Sequence, residues 1–295
     1  MNMFLEGLKQ GLELGSIFAL MALGYSMVYG IVKMINFAHS EFITVGGFFA
    51  YFLTDIVLTK ILGYSIWNLL IALIGAIIVC VVIAIITERF AYRPLRQKGS
   101  SRITALITAI GVSYIINGIM NAIEPAQLEF HSFFDKNTSF YIAIITTAIL
   151  LALLTFFVKK TKVGIAMRAV SENEHAAKLM GINNNFIISL TFIIGSALAV
   201  IGVVIYLISG KCFTFEIGSV TIGLYPFVAA VIGGIGSLPG AVIGGFLIGI
   251  IRVLTEVYST LGLSQWVETV IYGIFVIILL FKPSGLLGKD IREKV

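Results

Sequence analysis

The sequence predicts an all-α polytopic membrane protein, a transmembrane helical bundle of about eight or nine spans. Three observations lead there. Only 12% of the 295 residues are charged and 59% are apolar. A soluble domain carries about 25% charge, so polar surface here is too scarce to cover a water-exposed core. Uncharged runs at 140–158 and 186–208 each match the roughly 20 apolar residues that cross a bilayer as a helix. Neither run alternates apolar and polar residues, which excludes the strands of a β-barrel.

Apolar windows place spans at 11–32, 42–58, 66–87, 103–123, 140–158, 186–208, 217–235, 240–258 and 266–281. The second is short, and the seventh is interrupted by Pro226 and a glycine cluster. Eight spans with one broken segment is therefore the alternative count. Lys and Arg in the connections set the orientation. Fifteen of the 20 fall on one side, in the segments 88–102 and 159–185, the tail after 281 and Lys33; four fall on the other, and Arg252 lies within a span. Nine crossings then put the N-terminus outside and the C-terminus in the cytoplasm. The net charge of +5 is explained by this bias, so no nucleic-acid partner is expected.

The longest outer segment, 124–139, carries Glu124, Glu129 and Asp135 against Lys136. No stretch outside the spans is long enough for a catalytic domain. The Gly-x-x-x-x-Gly-Lys-Ser/Thr loop that cradles ATP phosphates is absent, as are His-Glu-x-x-His and Gly-x-Ser-x-Gly. Neither enzyme chemistry nor a bound cofactor or metal is expected. Cys80 and Cys212 read as packing residues, and the first apolar run, with no cleavage pattern after it, as a retained anchor.

The richest cytoplasmic stretch is 161–183. Ser171 followed by Glu174 forms a capping box, which predicts a helix beginning at Glu172. Gly181 supplies the left-handed residue that ends it. Two turns bearing His175, Ala176, Ala177, Leu179 and Met180 are too short to be stable alone. The helix either docks on a partner or lies on the membrane surface. The absence of Trp and Phe as interfacial anchors favours docking.

Glycines recur every four residues at 7, 11 and 15, at 236, 240 and 244, and at 245 and 249, the spacing that lets helix backbones approach closely. Gly233, Gly234, Gly236 and Gly240 with Pro239 read instead as a break between two spans, a tight turn or a gate. Asn36, His39 and Glu41 lie between the first two spans, with Asn36 placed to cap the next helix. The preferred reading is a short polar turn; the alternative is a functional polar site within the membrane. Arg252 and Glu256, four apart, share a helix face and can pair. Only Glu256 stands out as a carboxylate deep enough for ion coupling, which counts against self-powered transport.

Gly15-Ser-Ile-Phe-Ala-Leu-Met-Ala-Leu-Gly-Tyr-Ser-Met-Val-Tyr-Gly30 with Ile35-Asn-Phe-Ala-His39 resembles the N-terminal signature of branched-chain amino acid ABC-importer permeases of the LivH type. Glu88-Arg-Phe-Ala-Tyr-Arg-Pro-Leu-Arg96 is similar to that family's first basic loop, 164–181 to its ATPase-contacting loop, and Gly233-Gly-Ile-Gly-Ser-Leu-Pro-Gly-Ala241 to its glycine-rich motif. The matches run in order through most of the chain.

The resemblance implies a single permease domain over 1–295, with a coupling loop at about 159–185. It implies a second homologous permease subunit, two cytoplasmic ATP-binding subunits and an external substrate-binding protein, in a bacterial inner membrane. ATP-driven alternating access would carry leucine, isoleucine, valine or related amino acids; urea or short amides are substrates of related permeases. His175-Ala-Ala-Lys-Leu-Met-Gly181 fits the Glu-Ala-Ala-x-x-x-Gly pattern of ABC coupling helices, except that His175 stands where the pattern has Glu. The competing readings are a stand-alone channel or ion-coupled carrier, and an enzyme using His39 and Glu41.

Overall fold

The computed structural model describes residues 2–34, 36–63, 65–123, 134–211, 213–214, 218, 222–257 and 264–288. Ile35, Cys212, Glu124, Glu129, Lys289, Arg292 and Lys294, which the sequence reading used, lie outside the described residues. Among the described residues, a helix falls within each of the nine predicted spans. Seven are long and apolar enough to cross a membrane, and Gly223–Gly233 and Val267–Phe281 are shorter apolar helices. The chain is therefore a multi-pass membrane protein built as a helical bundle.

Helix α1 (Asn2–Val32) is the core element. From Leu14 to Ile31 most of its apolar side chains are buried, because other helices surround it. Next come α2 (His39–Tyr51), continued by a π-turn at Phe52–Leu58, and α3 (Ile66–Thr87), capped by Ser65, whose hydroxyl accepts from the Trp67 N–H at 3.3 Å. A second π-turn at Glu88–Tyr92 carries α3 on to Gln97. Pro94 explains it: proline lacks the N–H for an α-helical bond and crowds the preceding turn. The Arg93 N–H reaches instead to the Glu88 carbonyl, five residues back. Much of the predicted loop 88–102 is thus helical, a correction to the sequence reading.

Then follow α4 (Arg102–Ile123), α5 (Lys136–Lys160), α6 (Lys162–Glu172) and α7 (Glu174–Leu179). The bundle closes with α8 (Asn184–Ile208), α9 (Gly223–Gly233), α10 (Leu238–Val257) and α11 (Val267–Phe281). Along α3, Ile71, Ile74, Ile78, Val82 and Ile86 are exposed at helical spacing, the pattern of a lipid-facing side.

The glycine rows pack α1 against α10. A Cβ on Gly11 would stand 2.9 Å from the Ile250 Cα, and one on Gly15 2.7 Å from the Phe246 Cα. Such distances leave no room for any side chain, so backbone touches backbone. Gly46 and Gly47 on α2 instead make room for side chains, those of Val200 and Phe213. The buried Cys80 Sγ lies 3.3 Å from the Phe42 carbonyl and acts as a packing residue.

At 11 residues, α9 spans about 16 Å, roughly half a bilayer core. Pro226 falls in its first turns, where few N–H bonds are lost. Gly234 (φ +108°) and Gly236 (φ +89°) then turn the chain into α10, where the Ser237 hydroxyl accepts from the Gly240 N–H at 3.3 Å. Residues after α11 fold back over this turn. The Leu286 and Leu287 N–H groups donate to the Ile232 and Gly233 carbonyls, both at 2.8 Å.

Candidate functional site: a partner-seeking helix and a buried polar cluster

Segment 159–185 is two helices meeting at a corner. Thr161 caps α6, its hydroxyl accepting from the Gly164 N–H at 3.0 Å. The corner residue Asn173 caps α7, its side-chain oxygen accepting from the Ala176 N–H at 3.0 Å. The predicted capping box is corrected: Ser171 and Glu172 belong to α6, and Ser171 donates to the Arg168 carbonyl at 2.8 Å. An extended Asn173 (φ −153°) outcompetes Ser171 because the chain must leave α6 before α7 can start. The predicted end holds. Gly181 takes φ +82°, and the Gly181 and Ile182 N–H groups close on the Lys178 and Ala177 carbonyls at 3.1 Å each.

Helix α7 has a seated face and an open one. Ala177 is 3% exposed, whereas Leu179 and Met180 are 88% and 82% exposed, beside the exposed His175 and Ala176. Arg96 holds the seated face: its Nε is 3.1 Å from a Glu174 carboxylate oxygen, and its Nη2 donates to Asn185. Glu174 is thereby turned toward the chain's own basic segment. Asn184 adds a bond to the Glu174 carbonyl at 2.7 Å.

Beneath Arg96 lies Glu88, fully buried, receiving Arg93 at 2.8 Å and the Ser189 hydroxyl at 2.9 Å. A buried carboxylate requires such partners. The sequence reading took Glu88 to Arg96 as a basic loop and assigned no site role to Glu88, Tyr92, Arg93, Arg96 or Ser189; the one available signal was an acidic residue closing an apolar run just before Pro94. Arg96→Gln is expected to loosen α7 by about 1–2 kcal/mol, since charge-assisted bonds contribute about 1.5–3 and the Glu174 side chain is 41% exposed. Amide exchange across 174–181 should quicken about tenfold; unchanged exchange would show that Arg96 does not hold the helix.

The residues Asn36, His39 and Glu41 form no surface turn. They are 4%, 1% and 1% exposed, which corrects the preferred reading. Asn36 does not cap α2 with its side chain either: its Oδ1 accepts from the Tyr92 hydroxyl at 2.6 Å, while its Nδ2 is buried without a partner among the described residues. His39 sits where Gly24 and Gly195 leave space, its ring edge-on to Tyr25 at 4.3 Å, and neither ring nitrogen has a hydrogen-bond partner among the described residues. Glu41 accepts from Ser113 on α4 at 2.9 Å.

Asn36 and His39 line a narrow cleft of about 10 Å³, room for little more than one water, with Tyr25, Val28, Tyr29, Phe227 and Ile235 as the other walls. Ile235 lies in the glycine turn, so Asn36, His39 and that one residue of the turn line the same cleft, while Glu41 looks toward α4. The Tyr25 hydroxyl donates to the Gly223 carbonyl at 3.0 Å, where α9 begins. Gly233 and Gly240 touch backbone to backbone, and Gly30 meets Gly236 at the end of α1. Arg252 and Glu256 pair as read, at 3.0 Å.

Residues 7–280 match the family described as "Branched-chain amino acid transport system / permease component". The chain is 36% identical over 308 residues to the high-affinity branched-chain amino acid transport system permease protein BraD of Pseudomonas aeruginosa, covering 99% of this chain and 98% of that protein. It is likewise 36% identical over 310 residues to the permease protein LivH of Escherichia coli strain K12, with the same coverage. Among solved structures it resembles PsaBC from Streptococcus pneumoniae in complex with Fab, with TM-score 0.52 and 16% identity over 95% of this chain and 96% of that one. That likeness speaks for the fold alone. The relatives are transport permease subunits rather than enzymes. With the match running from the first helix to the last, the chain belongs to the branched-chain amino acid transport permease family.

Proposed function

We propose that this chain is one permease subunit of an ATP-driven importer for leucine, isoleucine, valine or a closely related amino acid. It works as a single domain in a bacterial inner membrane, with its N-terminus outside and its C-terminus in the cytoplasm. A second homologous permease completes the path, two cytoplasmic ATP-binding subunits power it, and an external binding protein delivers the solute. The observation that carries the reading is α7, six residues long and anchored from behind, with Leu179 and Met180 presented outward. A helix so short needs a partner, and two adjacent exposed apolar side chains give that partner something to cover.

In the mechanism, ATP binding draws the two ATPase subunits together and moves α7, with Ser171, Glu172, Glu174, His175, Ala176, Ala177, Leu179 and Gly181 forming or shaping the contact. Arg96 passes the displacement to Glu88 and its π-turn. Tyr92, in that turn, is bonded to Asn36, so the same movement reaches the wall of the buried cleft. Asn36, His39 and Glu41, with the turn at Gly233, Gly234, Gly236 and Gly240, would then gate alternating access. The largely apolar interior suits branched side chains.

A mild-detergent pull-down of the tagged chain from its native membrane tests the assignment. Two ATP-binding proteins and a second permease are expected to co-purify. A chain that comes out alone and transports alone in liposomes would return the reading to a stand-alone carrier.

A further inference from the structure

At the end of the bundle where α1 begins, charges of both signs meet above an aromatic wall. Arg252, near the end of α10, gives its Nε to Glu256 one turn on, at 3.0 Å. Its guanidinium lies over the Tyr225 ring, 5.1 Å from the centroid. Its Nη1 is buried and has no hydrogen-bond partner among the described residues. Lys211, following α8, places its Nζ 5.6 Å from the centre of the Tyr206 ring. Burial pushes its ammonium below the ordinary value, while Glu13 and Glu256 oppose that shift and Arg252 adds to it. Under the charges, Tyr225 packs on Phe18 at 5.8 Å and on Tyr272 at 6.4 Å.

A simple surface pair does not account for this arrangement. An i,i+4 pair of this kind contributes only a few tenths of a kcal/mol, which gives no reason to bury a guanidinium nitrogen and leave it unbonded. A lone anion would be opposed by Glu13 and Glu256, and a lone cation by Arg252 and Lys211. A molecule with a carboxylate and an ammonium on one carbon meets neither objection.

We propose that this mouth is a recognition site for the zwitterionic head of an apolar amino acid entering the bundle. Arg252 Nη1 donates to the α-carboxylate with Lys211 adding charge, Glu256 and Glu13 receive the α-ammonium, and the apolar side chain lies against the half-buried Tyr272, with Phe18 and Tyr225 packed behind it and closed to the ligand. The site rests on the amino-acid reading above and gives it residues.

The test uses the full chain with the subunits that co-purify with it, in the absence of the binding protein. Thermal shift is measured against leucine, leucinol, which lacks the carboxylate, and 4-methylpentanoate, which lacks the ammonium. Leucine is expected to stabilise the protein and the two analogues to do so far more weakly. Arg252→Gln should raise the half-effective leucine concentration by about 30-fold or more, since removing one member of a buried charged hydrogen bond has effects of that size. Arg252→Lys, which keeps the charge but loses the fork, should lie between. Leucine uptake and capture of the binding protein are measured on the same variants. If the wild type takes up leucine but responds equally to all three compounds, or if both variants bind leucine as it does, the site is overturned and the amino-acid reading stands. Weakened capture of the binding protein with unchanged leucine binding overturns it in favour of a protein-docking contact. A wild type that takes up no branched-chain amino acid overturns the reading and the site together.

Discussion

Replacing Ala177 with arginine, or Gly181 with valine, is expected to separate ATP hydrolysis from uptake, with uptake falling by tenfold or more while the chain stays in the membrane and hydrolysis continues. Ala177 is 3% exposed on the seated side of α7. An arginine there has nowhere to go, and overpacking of this kind costs about 1–3 kcal/mol. The helix can avoid that cost by lifting away from the bundle. Gly181 fails by a different route. Nothing lies within 4 Å of where its Cβ would be, but its φ of +82° is one that L-residues reach only at a cost of about 1–2 kcal/mol, more for a β-branched one. Both changes leave every transmembrane span untouched. Measured ratios of solute moved to ATP hydrolysed decide the matter, and normal ratios in both variants would remove α7 from the coupling path.

Gly15→Leu is expected to cost about 3 kcal/mol or more and to strip the chain from the membrane at steady state. Its Cβ would stand 2.7 Å from the Phe246 Cα and 3.1 Å from the Phe246 carbonyl oxygen. Where the obstacle is a flexible side chain, a new methyl group can be absorbed by a rotamer change. Here the obstacle is another helix's backbone, so α1 and α10 must separate along their whole seam. Repacking penalties of about 1–3 kcal/mol apply where neighbours can yield, and this site lies at or beyond the upper end. Gly118→Ala on α4 is the control, because nothing lies within 4 Å of its added Cβ. That variant should hold or gain stability, since alanine favours helix over glycine by about 1 kcal/mol. Melting temperatures in detergent separate the two, and similar stability for both would mean that the α1–α10 contact is not close-packed.

Much of the fold was legible because the membrane imposes its own grammar. Apolar length gave the spans, four-residue glycine spacing marked helix faces of close approach without saying that α1 and α10 meet there, and Gly181, Gly234 and Gly236 fell at turns, since only glycine occupies those backbone angles cheaply. Local rules failed where a distant partner decides. Ser171 and Asn173 are both good caps, and the choice between them follows from where α6 points. Asn36 looked like a cap or a turn residue because its true partner, the Tyr92 hydroxyl, lies 56 positions away. Glu88 looked like the end of a span because Arg93, Arg96 and Ser189 become its neighbours only after folding. The burial of Asn36, His39 and Glu41 was hidden for the same reason: short-range pattern cannot distinguish a polar turn at the surface from one enclosed by helices distant in sequence.

The fold-back of Leu286 and Leu287 onto the last carbonyls of α9 carries a consequence for biogenesis. Two helices, α10 and α11, lie between the donors and the acceptors they satisfy. During insertion, α9 therefore waits with the Ile232 and Gly233 carbonyls unpaired until both later helices are in place and the chain has returned. The glycine turn cannot take its final shape before then. Assembly of this part of the bundle has a fixed order, last helix before finished turn. A nascent chain stalled ahead of residue 286 would present a complete set of apolar segments and an unfinished inner lining.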